Sequence, residues 1–177
     1  EVVPGVAVVA NSTWAAMKGQ GALDVVWDES KASKDSWSGS VARAKALAGA
    51  KGDQVLFDKG DADTVIADAP VKIVDALYTY PFIAHVNMEP QNSTAWHRGD
   101  EIEVWAPTQT PQRAVTSVAK VWGLSEDKVN LHQIRGGGGF GRRLYNNFVC
   151  EAVAISEKVG APVKLQWTRE DDIRHEF

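Results

Sequence analysis

The segment "QIRGGGGFGRRLYNNF", residues 133–148, carries the strongest chemical signal in this sequence. Four consecutive glycines at 136–139 are followed by Phe140, Gly141, Arg142 and Arg143. Glycine loses more conformational freedom on folding than any other residue. Such a run therefore calls for positive φ angles or for a ligand lying against bare main chain. Gly136, Gly138 and Gly141 have the G-x-G-x-x-G spacing, between a strand-like run and a helix-like run. In that setting, free N–H groups and the positive end of a helix dipole suit an anionic group such as a phosphate. The plainer reading is a turn that only lets helix and strand pack closely. A dinucleotide site is weakened by Glu170, Asp171 and Asp172, the first acids after the next strand-like run. They lie further from the loop than the roughly 20 residues expected of a ribose-binding acid. An ATP or GTP loop is weaker still, because no Gly-Lys-Ser/Thr follows.

The other reactive side chains offer less. Cys150 is the one cysteine, which excludes an internal disulfide and any Cys-based zinc or iron–sulfur site. His85, His97, His132 and His175 have no metal-ligand spacing. A formal net charge of −4 gives no reason to expect nucleic acid or an anionic membrane as partner. No apolar run reaches the length of a membrane span. With 44% hydrophobic and 24% charged residues, the composition is that of an ordinary globular protein.

These residues need elements to hold them. Strands are expected at 2–10, with Pro4 near the start, and at 22–28, 54–60 and 71–80. A short helix capped by Ser12 is expected to end at Gly19, and an Ala-rich helix at about 37–50, after a polar loop over 29–36. Residues 61–69 are ambiguous. "NSTAWHRGDEIEVWA", 92–106, predicts a hairpin that turns at His97-Arg98-Gly99-Asp100. Thr110-Pro111 opens a helix with Ala114, Val115, Val118, Ala119 and Trp122 on one face and Gly123 at its end. Residues 128–135 read as a strand into the glycine loop. Leu144, Phe148, Val149, Ala152, Val153 and Ile155 mark the apolar face of the next helix, which ends at Gly160. A last strand is expected at 162–168, followed by a charged stretch with no evident closing element. The expected division falls at 69/70, and both ends read as cut, so the chain is expected to be a piece of something longer.

Four segments carry a family resemblance. "GGGGFGRR" resembles the Gly-Gly-x-Phe-Gly pterin-binding loop of the molybdenum hydroxylases, the xanthine dehydrogenase and aldehyde oxidase superfamily. "PFIAHVNMEPQNSTA" (81–95), "EVWAPTQTPQRA" (103–114) and "PVKLQWTREDDIRHEF" (162–177) resemble further segments of that family, in family order and at similar spacing. "MEPQN" and "GFGRR" are similar to the branch of isoquinoline 1-oxidoreductase and the bacterial aldehyde dehydrogenases that use molybdopterin cytosine dinucleotide. The resemblance implies an α+β fold with mixed sheets and packed helices. Residues 1–69 would be a partial hammerhead-like α/β segment, and 70–177 the first part of a molybdopterin-binding domain.

The resemblance also implies roles. In the family a molybdenum centre hydroxylates an electrophilic carbon with water as the oxygen source, on an aldehyde or an N-heteroaromatic compound. Gln109 matches the glutamine whose amide donates to a molybdenum oxo group. Phe140 and Gly141 match the backbone over the metal, with Phe140 walling the substrate side, and Gly137, Gly138 and Gly139 would let main-chain N–H groups approach an oxo or pterin atom of the cofactor. Arg142 and Arg143 would meet dinucleotide phosphates or a second subunit. Glu89 matches the Glu-Pro position, and the family's catalytic glutamate lies beyond residue 177. The implied partners are the rest of the large subunit and a small [2Fe–2S] subunit, in a bacterial periplasm or cytoplasm, with the periplasm favoured. Two rivals stand beside this reading: a Rossmann-type NAD(P)-dependent oxidoreductase, and a non-catalytic module with Arg142 and Arg143 as its interaction patch.

Overall fold

Alternation of buried and half-buried residues builds the sheet at the centre of the second half of the chain. In the computed structural model, which describes residues 5–68 and 72–176, β1 (Asn92–His97) and β2 (Ile102–Ala106) form the expected antiparallel hairpin. Thr94 lies opposite Trp105 and His97 opposite Ile102. Ile102, Val104 and Ala106 point to one face and are buried, while Glu103 and Trp105 turn to the other. β3 (Val129–Gln133) adds in parallel to β2, and β4 (Val163–Gln166) adds antiparallel to β1, giving the order β3-β2-β1-β4.

Two amphipathic helices cover the apolar face. α4 (Pro111–Trp122) begins after Thr110 with proline in its first turn and ends on Gly123 in the left-handed conformation. α5 (Asn147–Val159) ends in the same way on Gly160. Val118 from α4 and Phe148, Val149, Ala152 and Val153 from α5 meet Ala95, Ile102 and Val104 in one core. Leu144, expected on that helix, lies in a 3-10 turn before it and is 41% exposed.

β3 and β4 lie at opposite edges of the sheet, so the chain from β3 through α5 to β4 crosses two strands. This is not the adjacent parallel pair of a doubly wound nucleotide-binding sheet. The charged stretch after β4 forms α6 (Arg169–Arg174), opened by a capping box in which Thr168 and Asp171 satisfy each other's backbone N–H groups. No element is expected there from composition or periodicity.

The first half is helical. Ser12 accepts from Ala15 N at 3.3 Å and caps α1 (Thr13–Gly21), which runs past Gly19. α2 (Trp37–Ala48) starts on Ser36, and the ambiguous stretch forms α3 (Ala62–Ala67). The strands expected at 22–28 and 54–60, and the described parts of those at 2–10 and 71–80, do not form. Pro4 and the division at 69/70 lie outside the described residues. Those segments have β-branched composition, but a strand is stable only where another strand pairs with it. The chain divides into two compact units. One takes in the residues up to Val25 and from Ala84 onward; the other is Val26–Ile83.

Candidate cofactor site at the glycine loop

The loop leaves β3 at its C-terminal end and does not open α5. A 3-10 turn over Arg142–Leu144 follows Gly141, and α5 starts only at Asn147. The helix-dipole argument for the loop therefore fails. Its own main chain, and two segments lying against it, make the site instead.

The first of these segments is 85–91, which has no regular structure. The Gly137 N–H donates to the Glu89 carboxylate, and Glu89 N donates back to Gly137 O at 3.3 Å. A Cβ on Gly137 would stand 2.6 Å from Glu89 Cβ, so the bare main chain here makes room for the protein itself. The carboxylate also takes Asn92 Nδ2. A second anion at the Gly137 amide would meet this charge, which removes the phosphate reading from the front of the loop.

The second segment is the turn 107–110 between β2 and α4. Gln109 Oε1 would be 2.5 Å from a Cβ on Gly139, so the Gln109 carboxamide rests on the Gly139 main chain. Among the described residues the Gln109 side chain makes no hydrogen bond, and it is exposed. Thr108 Oγ1 donates to Asn146 Oδ1 at 2.6 Å, and Asn146 Nδ2 donates to Thr110 Oγ1 at 3.0 Å, which ties the turn to the start of α5. Thr110 Oγ1 in turn donates to Leu144 O at 3.0 Å and makes no cap bond to α4.

Beyond Gly137 the loop turns through positive φ at Gly138 (93°), Phe140 (52°) and Gly141 (106°). Phe140 is 77% exposed while its backbone is held in the left-handed region, an uncommon state for a side-chain-bearing residue. Val86, across the loop in sequence 85–91, has φ 44°. Strained residues of this kind concentrate at ligand sites. Among the described residues no hydrogen-bond partner takes the N–H groups of Gly138, Gly139, Phe140 and Gly141.

Arg142 and Arg143, expected at the surface as phosphate or partner contacts, are interior: 0% and 1% exposed. Arg143 donates from Nε to Gly138 O (2.8 Å), from Nη1 to Pro107 O (3.2 Å) and from Nη2 to Glu89 O (2.8 Å). Arg142 donates from Nη1 to Asn147 Oδ1 at 3.1 Å and lies over the Trp167 ring. Burial pushes both guanidinium pKa values down, and Glu176 beside Arg142 and Glu89 beside Arg143 pull them back up. Nothing in the sequence marks this burial, because Pro107 O, Glu89 and Glu176 come from distant segments and the nearer partners, Gly138 O and Asn147 Oδ1, carry no charge.

Glu176 closes the far side of the site. It takes His85 N at 3.2 Å, pairs with His85 Nδ1 at 2.6 Å and stands 3.8 Å from Arg142 Nε. His85 Nε2 would be 3.3 Å from a Cβ on Gly141. Arg169 grips the Asn87 and Met88 carbonyls, and buried Asp172 receives Gln91 N and Nε2. His85, Glu89, Asn87 and Gln91 thus share one frame with the loop.

Gln109, Gly138, Gly139, Phe140 and Gly141 come together as a row of main-chain donors with one carboxamide. That donor set fits an oxygen-rich, electron-rich group such as molybdopterin with its metal. Among the described residues no cluster of three His, Cys, Asp or Glu side chains could hold a bare ion, so a metal here would need ligands of its own. Cys150 is buried on α5, and burial pushes its thiol pKa up, as suits inert packing.

Comparison with known proteins identifies the family. The family model of the molybdopterin cofactor-binding domain matches residues 48–176. A membrane-bound aldehyde dehydrogenase of Gluconacetobacter polyoxogenes, named for pyrroloquinoline quinone, is 32% identical over 98% of this chain and 23% of its own length. The isoquinoline 1-oxidoreductase β-subunit of Brevundimonas diminuta is 34% identical over 63% of this chain and 14% of its own. Among solved structures, quinoline 2-oxidoreductase of Pseudomonas putida 86 superposes with a TM-score of 0.46 at 23% identity, covering 51% of this chain and 12% of that one. The chain thus spans less than a quarter of these relatives. The family match over most of its length makes this chain a member of the molybdopterin cofactor-binding domain family, within the large subunits of the molybdenum hydroxylases.

Proposed function

We propose that this chain supplies one wall of the molybdopterin site in an oxidoreductase that oxidises aldehydes or N-heteroaromatic compounds. The observation that carries the reading is the run of four unengaged amides, 138–141, beside the Gln109 carboxamide. When bound, the molybdenum cofactor supplies the two-electron oxidation, with water as the source of the oxygen added to substrate. The chain's own residues bind and orient. The amides of Gly138, Gly139, Phe140 and Gly141 and the Gln109 side chain offer hydrogen bonds to oxygens of the ligand. Phe140, exposed above its strained backbone, would exclude water on the substrate side. Gly137 and Arg142 act from behind, Gly137 through Glu89 and Arg142 through Glu176 and Asn147.

The cytosine dinucleotide form of the cofactor, a [2Fe–2S] partner subunit and a bacterial, periplasmic location complete the proposal. They rest on the likeness of "MEPQN" and "GFGRR" to that branch of the family. The test is metal, pterin and quinone analysis of the full-length protein from its source. Molybdenum and pterin in equal amounts, with CMP released on hydrolysis, are expected. Pyrroloquinoline quinone without molybdenum would overturn the cofactor assignment. A protein with neither, which still captures a partner, would be the non-catalytic module. On a cofactor-loaded protein, turnover of aldehydes against N-heteroaromatics decides the substrate class.

A further inference from the structure

We infer that Arg143 is a positioning residue that sets the spacing between Gln109 and the glycine loop. This rests on the cofactor reading above. Arg143 acts at both of its ends. Its side chain joins three carbonyls from three chain segments: Gly138 in the loop, Pro107 in the turn before Gln109, and Glu89 in the irregular segment. Its own carbonyl accepts Gln109 N at 3.0 Å; the Thr108 hydroxyl, whose proton goes to Asn146 Oδ1, stands 3.3 Å away. One residue thus fixes the main chain on either side of the Gln109–Gly139 contact. A planar guanidinium is needed for this. Its N–H groups diverge in fixed directions, and three diverging carbonyls use them. A lysine ammonium would be a single point on a flexible stem and could not hold all three.

Burial explains why the arrangement is rigid. A guanidinium at 1% exposure has no water to replace a lost partner, so loosening one carbonyl leaves a buried charge short of a hydrogen bond. The Glu89 carboxylate, 3.8 Å from Nη2, supplies the compensating charge and at the same time occupies the Gly137 amide. The positive charge therefore serves the frame of the site and does not meet a phosphate of the ligand.

The experiment uses Arg143→Lys and Glu89→Gln in the full-length subunit, with hydrogen exchange of the present chain alongside. For Arg143→Lys, turnover per bound molybdenum should fall about 100-fold, the scale of a 1 Å misplacement, while molybdenum content stays within about twofold and KM changes little. A residue that only stabilised the fold would lower molybdenum content and melting temperature together and leave turnover per molybdenum unchanged; that result would overturn the inference. In the chain alone, amide exchange at Gln109, whose N–H the Arg143 carbonyl holds, should quicken in the variant, and unchanged exchange there would also overturn it. Should Arg143→Lys fail to fold, Glu89→Gln decides. Faster exchange at Gly137, whose N–H the Glu89 carboxylate holds, and at Gln109 supports the inference, and unaltered exchange at both sinks it. A wild-type protein without molybdenum would remove the cofactor reading but leave the exchange result standing on its own.

Discussion

Two neighbouring glycines should answer the same substitution differently. A methyl group on Gly137 meets Glu89 Cβ at 2.6 Å and Glu89 N at 3.3 Å, so the main chain of segment 85–91 must move. Gly137→Ala should cost about 1–3 kcal/mol of stability, the usual scale of overpacking, as measured by denaturant unfolding. On Gly139 the methyl meets Gln109 Oε1 and Cδ, the far end of a flexible side chain. Gly139→Ala should change stability by less than about 1 kcal/mol, yet displace Gln109 and lower turnover per bound molybdenum at least tenfold. Equal stability losses in the two variants would contradict this geometry. At this scale the sequence was half legible. The family motif marked Gln109 and the glycines, but it could not show that Glu89, a member of the same motif set, already fills one of the loop's amides. Nor could it show that the paired arginines are interior, since main-chain carbonyls leave no trace in side-chain identity.

The elements that were legible are those with local signals. Thr110-Pro111 and Gly123 bound α4, Gly160 ends α5, and the hairpin turns where its alternation breaks at Arg98-Gly99-Asp100. The missing strands before residue 84 had composition but no pairing partner, and pairing is not a local property. α6 was legible in principle: Thr168 and Asp171 stand in capping-box spacing. Asp171 gives that helix a pH dependence. Burial pushes its carboxyl up, but the hydrogen bonds from Gln20 and Thr168 outweigh this and hold it below the usual carboxylate range. A group with a depressed folded-state pKa stabilises above its unfolded value, and that contribution is lost as pH falls through the folded one. Asp171→Asn should therefore cost stability at pH 7, by well under about 1 kcal/mol because solvent screens a partly exposed carboxylate. The difference from wild type should begin to shrink as the pH drops below about 4 and be gone once it is below the depressed folded-state pKa. A cost that stays constant from pH 7 to pH 2 would mean the cap is not an ionised carboxylate.

Across the whole molecule, stability is unevenly spread. The unit that holds the sheet has a continuous core, whereas none of the described residues of Val26–Ile83 is buried. Val26, Leu56, Phe57, Phe82 and Ile83 are each more than 80% exposed. Backbone hydrogen bonds with so little apolar cover open at low cost. Hydrogen exchange of the chain should find α2 and α3 exchanging at least tenfold faster than α5, and limited proteolysis should cut first within 26–83. Protection of α2 equal to that of α5 would refute this.

Segment 85–91 is gripped by its main chain. Arg143 takes the Glu89 carbonyl, Arg169 takes those of Asn87 and Met88, and Glu176 takes the His85 N–H. A grip on the backbone is indifferent to which side chain stands above it. Met88, 88% exposed, can therefore be exchanged without releasing the frame, whereas Val86, held at φ 44°, is a position where the choice of side chain changes backbone strain. For the engineer of altered selectivity, Met88 is a position where diversity comes at low risk to the scaffold.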